Sequence, residues 1–290
     1  MLKKFLAMRA LTNKGGGSGG GGGGAVVITG ENPSGSTPIS AAESIAIVCK
    51  DAKSIGDSAF EGCTTITSVD LPNAESIGNR AFFGCVAMTS VDLPEAERIG
   101  DSAFCECIAL KDVFLRSATS IGECAFADCY ALKYANLCGA TSIGDSAFIC
   151  CIALENLSDL SADSIGNRAF FGCTALERVH IRYAESIGRS AFFGCTNLTT
   201  LILSNTRTVC ELDVTAVMGT KIATEEGVPT GEGFIYVPDK CYEDYVTLIA
   251  QQVAMLLMSQ GMGDAEAQAT AEYLAGAILR KIEDYPEICG

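Results

Sequence analysis

The sequence predicts an α/β repeat solenoid of 22-residue units, closed by a C-terminal helical hairpin. Three observations carry that expectation. The motif I-G-x-x-A-F-x-x-C returns seven times at an unbroken 22-residue interval, at Ile55, Ile77, Ile99, Ile121, Ile143, Ile165 and Ile187. Each copy has an Ala-Phe pair, from Ala59-Phe60 to Ala191-Phe192, and then a cysteine: Cys63, Cys85, Cys107, Cys129, Cys151, Cys173 and Cys195. Between copies runs a segment such as residues 88–93, Met-Thr-Ser-Val-Asp-Leu, which ends in the apolar–polar alternation of a half-buried strand. Beyond residue 240 the period vanishes and apolar residues recur at helical spacing instead.

The bulk numbers agree with a stack of repeated units. Each rung of a solenoid buries its apolar face against its neighbours, and a 48% hydrophobic chain without tryptophan suits a core of small repeated positions. With 35 acidic and 20 basic residues the net charge is −15, which is ill suited to neutralising phosphates, so nucleic acid is not expected as a partner. Seven of the fifteen cysteines share one repeat position. In a column of parallel rungs their Cβ atoms would sit about 4.8 Å apart, beyond the ~3.5–4.5 Å that a disulfide prefers, so reduced, buried thiols are expected.

Residues 1–14 form a short basic amphipathic peptide. Arg9 interrupts its apolar run and no small-residue cleavage site precedes the glycines, so it does not read as a secretory signal. Residues 15–24 are glycine with one serine, Ser18, and form a flexible linker; no Lys-Ser/Thr follows to make a phosphate loop. Residues 25–51 hold an N-terminal cap with a partial rung, because counting back 22 from Val69 and Leu71 reaches Ile47 and Cys49. Residues 52–205 carry the seven repeats. Within one, Ser76 to Cys85 places Ile77, Ala81, Phe82 and Cys85 at spacings of four, one and three, which predicts a short helical or 3₁₀ turn. Gly78 and its equivalents supply either a special backbone conformation or a close approach.

Residues 206–239 read as a degenerate repeat, with Thr206, Val209, Cys210, Asp213, Val214 and Val217 in the consensus places, and a last strand over 234–237. Residues 240–290 form a helical hairpin of about 241–259 and 265–284, broken at Gly261-Met262-Gly263, with Asp264 as N-cap of the second helix. Tyr242, Tyr245, Ile249, Val253 and Leu256 mark the buried stripe of the first helix; Tyr273, Ala277, Leu274 and Ile278 mark that of the second. Met255, Leu257 and Met258 are left over, and they make this hairpin a candidate docking or self-association surface. The apolar run from Val246 to Met258 is too short to span a bilayer, so no transmembrane segment is expected.

The unit L-x-x-V-x-L-P-x-A-x-S-I-G-x-x-A-F-x-x-C resembles the BspA-like class of bacterial leucine-rich repeats over residues 52–205. The resemblance implies a leucine-rich-repeat right-handed superhelix with a parallel sheet on its concave side. It also implies use in surface adhesion and in binding host or matrix proteins, at the cell surface or on a particle.

Candidate binding residues come from three outward strand columns that vary between rungs. Their middle members are Lys111, Asp112, Phe114, Lys133, Tyr134, Asn136, Asn156, Arg178 and His180. Two aromatics on an exposed sheet beside cations and Arg178 are the residue types that anchor interfaces. His180, the one histidine, has Ser158 one rung earlier in its column and Ile202 one rung later. No acid in that column can orient the ring, so no hydrolase constellation is read. Asp70 and Asp92 stack in the same column with Asp112 alongside; on an exposed face they read as solvated carboxylates and not as a calcium site. No nucleotide, haem or zinc signature is present, and no catalytic residue, metal or cofactor is expected. The expected function is therefore non-enzymatic: a module binding a protein or glycan through its concave face. The alternative is a structural or display component of a larger assembly, a phage-like particle or a cell-surface array, docked through residues 1–14 or 240–290.

Overall fold

The computed structural model describes residues 26–28, 45–48, 51–157, 159–205, 209–224 and 227–284. The expected peptide at 1–14, the linker at 15–24, Cys49 and Ser158 lie outside them. Each 22-residue unit makes one turn of a solenoid and contributes a strand to each of two parallel ladders. The Ser-Ile of the motif forms one of these: Ser76–Ile77, Arg98–Ile99, Ser120–Ile121, Ser142–Ile143, Ser164–Ile165 and Ser186–Ile187 stack in register. With Val26–Ile28 and Ala52–Ile55 at one end and Glu211–Leu212 at the other, they make a nine-stranded sheet. The valine segments make the second ladder. Ile45–Val48, Ile66–Asp70, Ser90–Asp92, Asp112–Phe114, Tyr134–Asn136 and Asn156–Leu157 form a six-stranded sheet. Beyond a break, Arg178–Ile181, Thr200–Leu203, Phe234–Val237 and Leu279–Lys281 form a four-stranded one. In the partial first rung Ile47 pairs with Val69, the partner that the 22-residue count reaches.

Between the ladders the Ala-Phe segment keeps the i→i−3 closures of the expected helical or 3₁₀ turn only at alternate residues. Alternate amides leave the rung: Ser102 N–H donates to the Glu123 carbonyl at 2.7 Å, Phe104 to Ala125 at 2.8 Å and Glu106 to Ala127 at 2.9 Å. The amides between them close tight turns, Ala103 onto Gly100 at 3.3 Å and Cys105 onto Ser102 at 3.2 Å. A helix would keep every bond inside one rung. This path satisfies the same backbone groups while tying each rung to the next. Its cost is left-handed backbone at two places per rung, φ 52° at Ser102 and 61° at Glu106, and glycine occupies the second place in several rungs, as at Gly84 with φ 68°.

The motif glycine is required by proximity and has an ordinary φ. A Cβ on Gly100 would stand 2.6 Å from both Asn79 N and Gly78 C, backbone atoms of the preceding rung. That approach lets the following Asp or Asn act as a connector: Asn79 N–H donates to Asp57 Oδ1 at 2.7 Å, and Asp101 N–H to Asn79 Oδ1 at 2.8 Å.

The core is a set of columns. Phe60, Phe82, Phe104, Phe126, Phe148, Phe170 and Phe192 stack face to face with centroids 5.1–5.3 Å apart. Beside them each thiol from Cys85 to Cys195 donates to the carbonyl of a phenylalanine in the preceding rung, as Cys129 Sγ does to Phe104 O at 3.2 Å. The described cysteines are free thiols, and those of the column are buried except for half-buried Cys63. Burial pushes up the ionisation of Cys85, Cys107, Cys129, Cys151 and Cys173, because a thiolate there would lose its hydration. The same desolvation takes Cys105 and Cys210 to about 12.

At the C-terminal end the 22-residue count fails. Glu211 and Leu212 pair with Ser186 and Ile187, an interval of 25 residues, so the last rung carries three more residues than the consensus. Ala216 rather than Asp213 takes the alanine place, its carbonyl accepting from Phe192 N–H at 2.8 Å. Helices α1 (Tyr242–Ser259) and α2 (Asp264–Ile278) follow. Gly263 is the N-cap of α2 and Asp264 its first residue, without a side-chain capping bond. The chain then returns as Leu279–Lys281, which pairs parallel to Phe234–Val237. The expected second helix thus ends early, and the hairpin is a crossover that supplies one further strand outside the one expected to be last. No helix of the described residues is long and apolar enough to cross a membrane.

Helix α1 closes the end of the array. Tyr245, Ile249 and Val253 are buried as the stripe requires, and the Tyr245 hydroxyl accepts from Cys210 N–H at 2.9 Å. Gln252 occupies the edge of the nine-stranded sheet: its Oε1 accepts from Val214 N–H at 2.6 Å and its Nε2 donates to the Leu212 carbonyl at 2.8 Å. Its amide imitates the peptide of a further rung. Gln252→Ala leaves both backbone groups without a partner and is expected to cost about 2–4 kcal/mol, read from the denaturant midpoint. A loss below ~0.5 kcal/mol would show that water replaces the amide. Helix α2 buries Ala267, Ala271, Ala275 and Ile278, so Tyr273, expected in its stripe, instead stands 77% exposed. Of the leftover residues on α1, Met255 and Met258 are exposed and Leu257 packs partly against the core.

Candidate functional site

In the valine ladder the inward residues Val69, Val91, Val113 and Ala135 are buried, which turns their neighbours outward. The register sets Ser68, Ser90, Asp112, Tyr134 and Asn156 in one column and Asp70, Asp92, Phe114 and Asn136 in the next. Phe114 and Tyr134 come from different columns of adjacent rungs, and their rings meet at 5.6 Å between centroids, tilted by 49°. Both remain half-buried, as does Asn136. Lys111 and Lys133 precede these strands, are exposed, and lie in adjacent rungs joined by Lys133 N–H donating to the Lys111 carbonyl at 2.8 Å. The expected aromatic pair is therefore a contiguous apolar step with two cations at one margin. Asp70 and Asp92 are exposed, and among the described residues no three metal-ligating side chains gather.

Arg178 and His180 belong to a separate group. They lie two rungs from Tyr134, roughly 10 Å along the ladder, and beyond the break in the sheet. The break has a cause in the sequence. Leu93, Leu115 and Leu137 are buried at intervals of 22, but the next buried leucine of this column is Leu160, one residue late, joined to the following rung by an isolated bridge to Ile181. Asp159, which the count would place in the core, is turned out to the surface.

That shift corrects the reading of His180. Asp159 Oδ1 lies 3.3 Å from His180 Nδ1, and Asp159 Oδ2 is hydrogen-bonded to Arg182. On the other side His180 Nε2 lies 2.9 Å from Ser204 Oγ. An acid does orient the ring, although it stands outside the 22-residue column. Partial burial pushes the Asp159 carboxyl up, but the hydrogen bond from Arg182 and the charges of His180 and Arg182 outweigh it and hold the group below its usual value. On the same three rungs Glu155, Leu157, Glu177, Arg178 and Thr199 line a depression of about 330 Å³. Asp159, Arg182 and Ser204 escaped the column count. The displaced leucine, 23 residues after Leu137, was the available signal.

The family model described as the BspA type leucine rich repeat region matches in 6 copies, over residues 41–155 and 141–214. Among solved structures, a leucine rich cell surface protein of Faecalibacterium prausnitzii is 29% identical, with a TM-score of 0.50 over 57% of this chain and 48% of that one. The leucine rich repeat protein of T. pallidum is 27% identical over 53% of this chain and 79% of that one, TM-score 0.42. A leucine-rich repeat protein of Bacteroides ovatus is 25% identical over 67% and 60%, TM-score 0.38. The chain thus spans about half the length of the Faecalibacterium protein. No curated protein matches it.

Proposed function

Because the chain belongs to the BspA-type leucine-rich-repeat family, whose repeats are consistent with binding and recognition, we propose that it is an adhesion or recognition module binding a protein or glycan through the outward face of its valine ladder. The observation that carries this reading is the Phe114–Tyr134 ring pair, a half-buried apolar step on the outward face in the middle of the array. Aromatic rings in that setting supply contact area at small cost in side-chain entropy, and they stack on sugar rings and apolar side chains alike. Lys111 and Lys133 add charge at the rim, where it guides encounter more than it adds affinity. Asp112 and Asn136 extend the polar margin, and Asn156 holds its register opposite Tyr134. The similarity to a cell surface protein of Faecalibacterium prausnitzii supports a surface setting for this chain.

The test is binding of the full chain to a glycan array and to immobilised extracellular-matrix proteins, repeated with Phe114→Ala/Tyr134→Ala. The expected result is a loss of at least about 30-fold in affinity, near the 2 kcal/mol that marks an interface hot spot. Unchanged affinity for every ligand detected would remove this face from the account.

A further inference from the structure

We propose that Asp159, His180 and Ser204 form a nucleophilic serine site that cleaves small acyl esters, an activity separate from the binding proposed above. Three consecutive rungs each contribute one residue. His180 Nδ1 faces the Asp159 carboxylate at 3.3 Å, and its Nε2 faces the Ser204 hydroxyl at 2.9 Å. The carboxylate sets the tautomer: the ring proton stays on Nδ1, and the Nε2 lone pair is left to accept the serine proton. Arg182 bonds the far oxygen of Asp159 and fixes its orientation. This is the order that activates a serine: nucleophile to base within hydrogen-bond reach, and base to an orienting acid. The ring is 21% exposed, so the group is sheltered yet open to a small substrate.

The depression lined by Glu155, Leu157, Glu177, Arg178 and Thr199 lies on the same rungs but is displaced along the strands from the three residues, Arg178 preceding His180 by two residues, about 7 Å. In the reaction Ser204 Oγ attacks the ester carbonyl while its proton passes to His180 Nε2. The carbon–oxygen bond to the alcohol breaks, and that oxygen takes the proton from His180. Water then adds to the acyl-serine, giving its proton to His180, and the acid leaves as Ser204 recovers a proton. One ester and one water become one acid and one alcohol.

The test treats the full chain with a fluorophosphonate probe and separately with p-nitrophenyl acetate, under reducing conditions. The expected result is labelling that peptide mass spectrometry maps to Ser204, absent from Ser204→Ala. Labelling and ester cleavage should be slowed at least ~100-fold in His180→Gln and about 10-fold or more in Asp159→Asn. Ser204→Ala removes one hydroxyl from a half-buried position outside the core and should melt with the wild type, which guards against a folding artefact. Phe114→Ala/Tyr134→Ala should label at the wild-type rate, so failure of the binding reading and failure of this one are distinguishable. Wild-type protein that is labelled and cleaves ester no faster than Ser204→Ala would overturn the proposal.

Discussion

Raising the pH from about 8 to about 10 is expected to unfold the solenoid cooperatively, through its buried thiols. In the unfolded chain a cysteine ionises near ~8.5. In the folded protein desolvation pushes Cys85, Cys107, Cys129 and Cys173 well above that, raises Cys151, and holds Cys105 and Cys210 at about 12. The folded state therefore keeps protons that the unfolded state releases. Stability is intact below the unfolded pKa, and each thiol removes about 1.4 kcal/mol per pH unit above it. By pH ~10 each such thiol has cost roughly 2 kcal/mol, and a handful together match the ~5–15 kcal/mol that holds a domain folded. The check is the melting temperature against pH in reductant. A steep fall is expected above pH ~8.5, and a shallower one in Cys129→Ala, which removes one titrating column member. A melting temperature that stays level from pH ~7.5 to ~10 would show that the thiols ionise without unfolding.

Phe126→Ala is expected to destabilise the protein by about 3–5 kcal/mol, the range for a large side chain removed from a packed core. Phe126 is fully buried and stacks at 5.1 Å on Phe104 to one side and on Phe148 to the other. Its loss opens a cavity that neighbouring rungs cannot close, because their spacing is fixed by the backbone ladders on both sides. Phe60 is the contrast. It is 7% exposed, begins the column and stacks on Phe82 at 5.2 Å. Phe60→Ala should cost about 2 kcal/mol less, the difference reflecting one ring contact and part of the cavity term. Denaturant midpoints measure both. Equal losses would mean that end and middle rungs share one cooperative energy and that local ring contacts do not decide stability.

The 22-residue period identified the rungs, the buried Ile, Ala, Phe and Cys columns, the reduced thiols and the repeated glycine, whose role as a close approach the structure decided. Each of these follows from repetition: identical residues at identical places must stack, and stacking decides what is buried. The same logic placed Phe114 beside Tyr134, since register follows from the period. The course of the Ala-Phe segment was not legible, because apolar spacings of four, one and three suit both a helical turn and a path that bonds to the next rung.

What lay beyond the sequence was decided wherever the period slips. Leu160 stands one residue late, and only packing shows that the leucine keeps the core while Asp159 is expelled toward His180. The last rung is three residues longer, and only pairing shows that Glu211–Leu212 take the Ser-Ile place. Gln252 reads in the sequence as a polar interruption of an apolar run. In the fold it meets the open peptide groups that end a parallel ladder. The sequence by itself determined the repeated interior, because burial there is the same at every turn. Tertiary structure decided the exceptions, because a displaced or unpartnered group takes whatever neighbour the folded chain brings within hydrogen-bond reach.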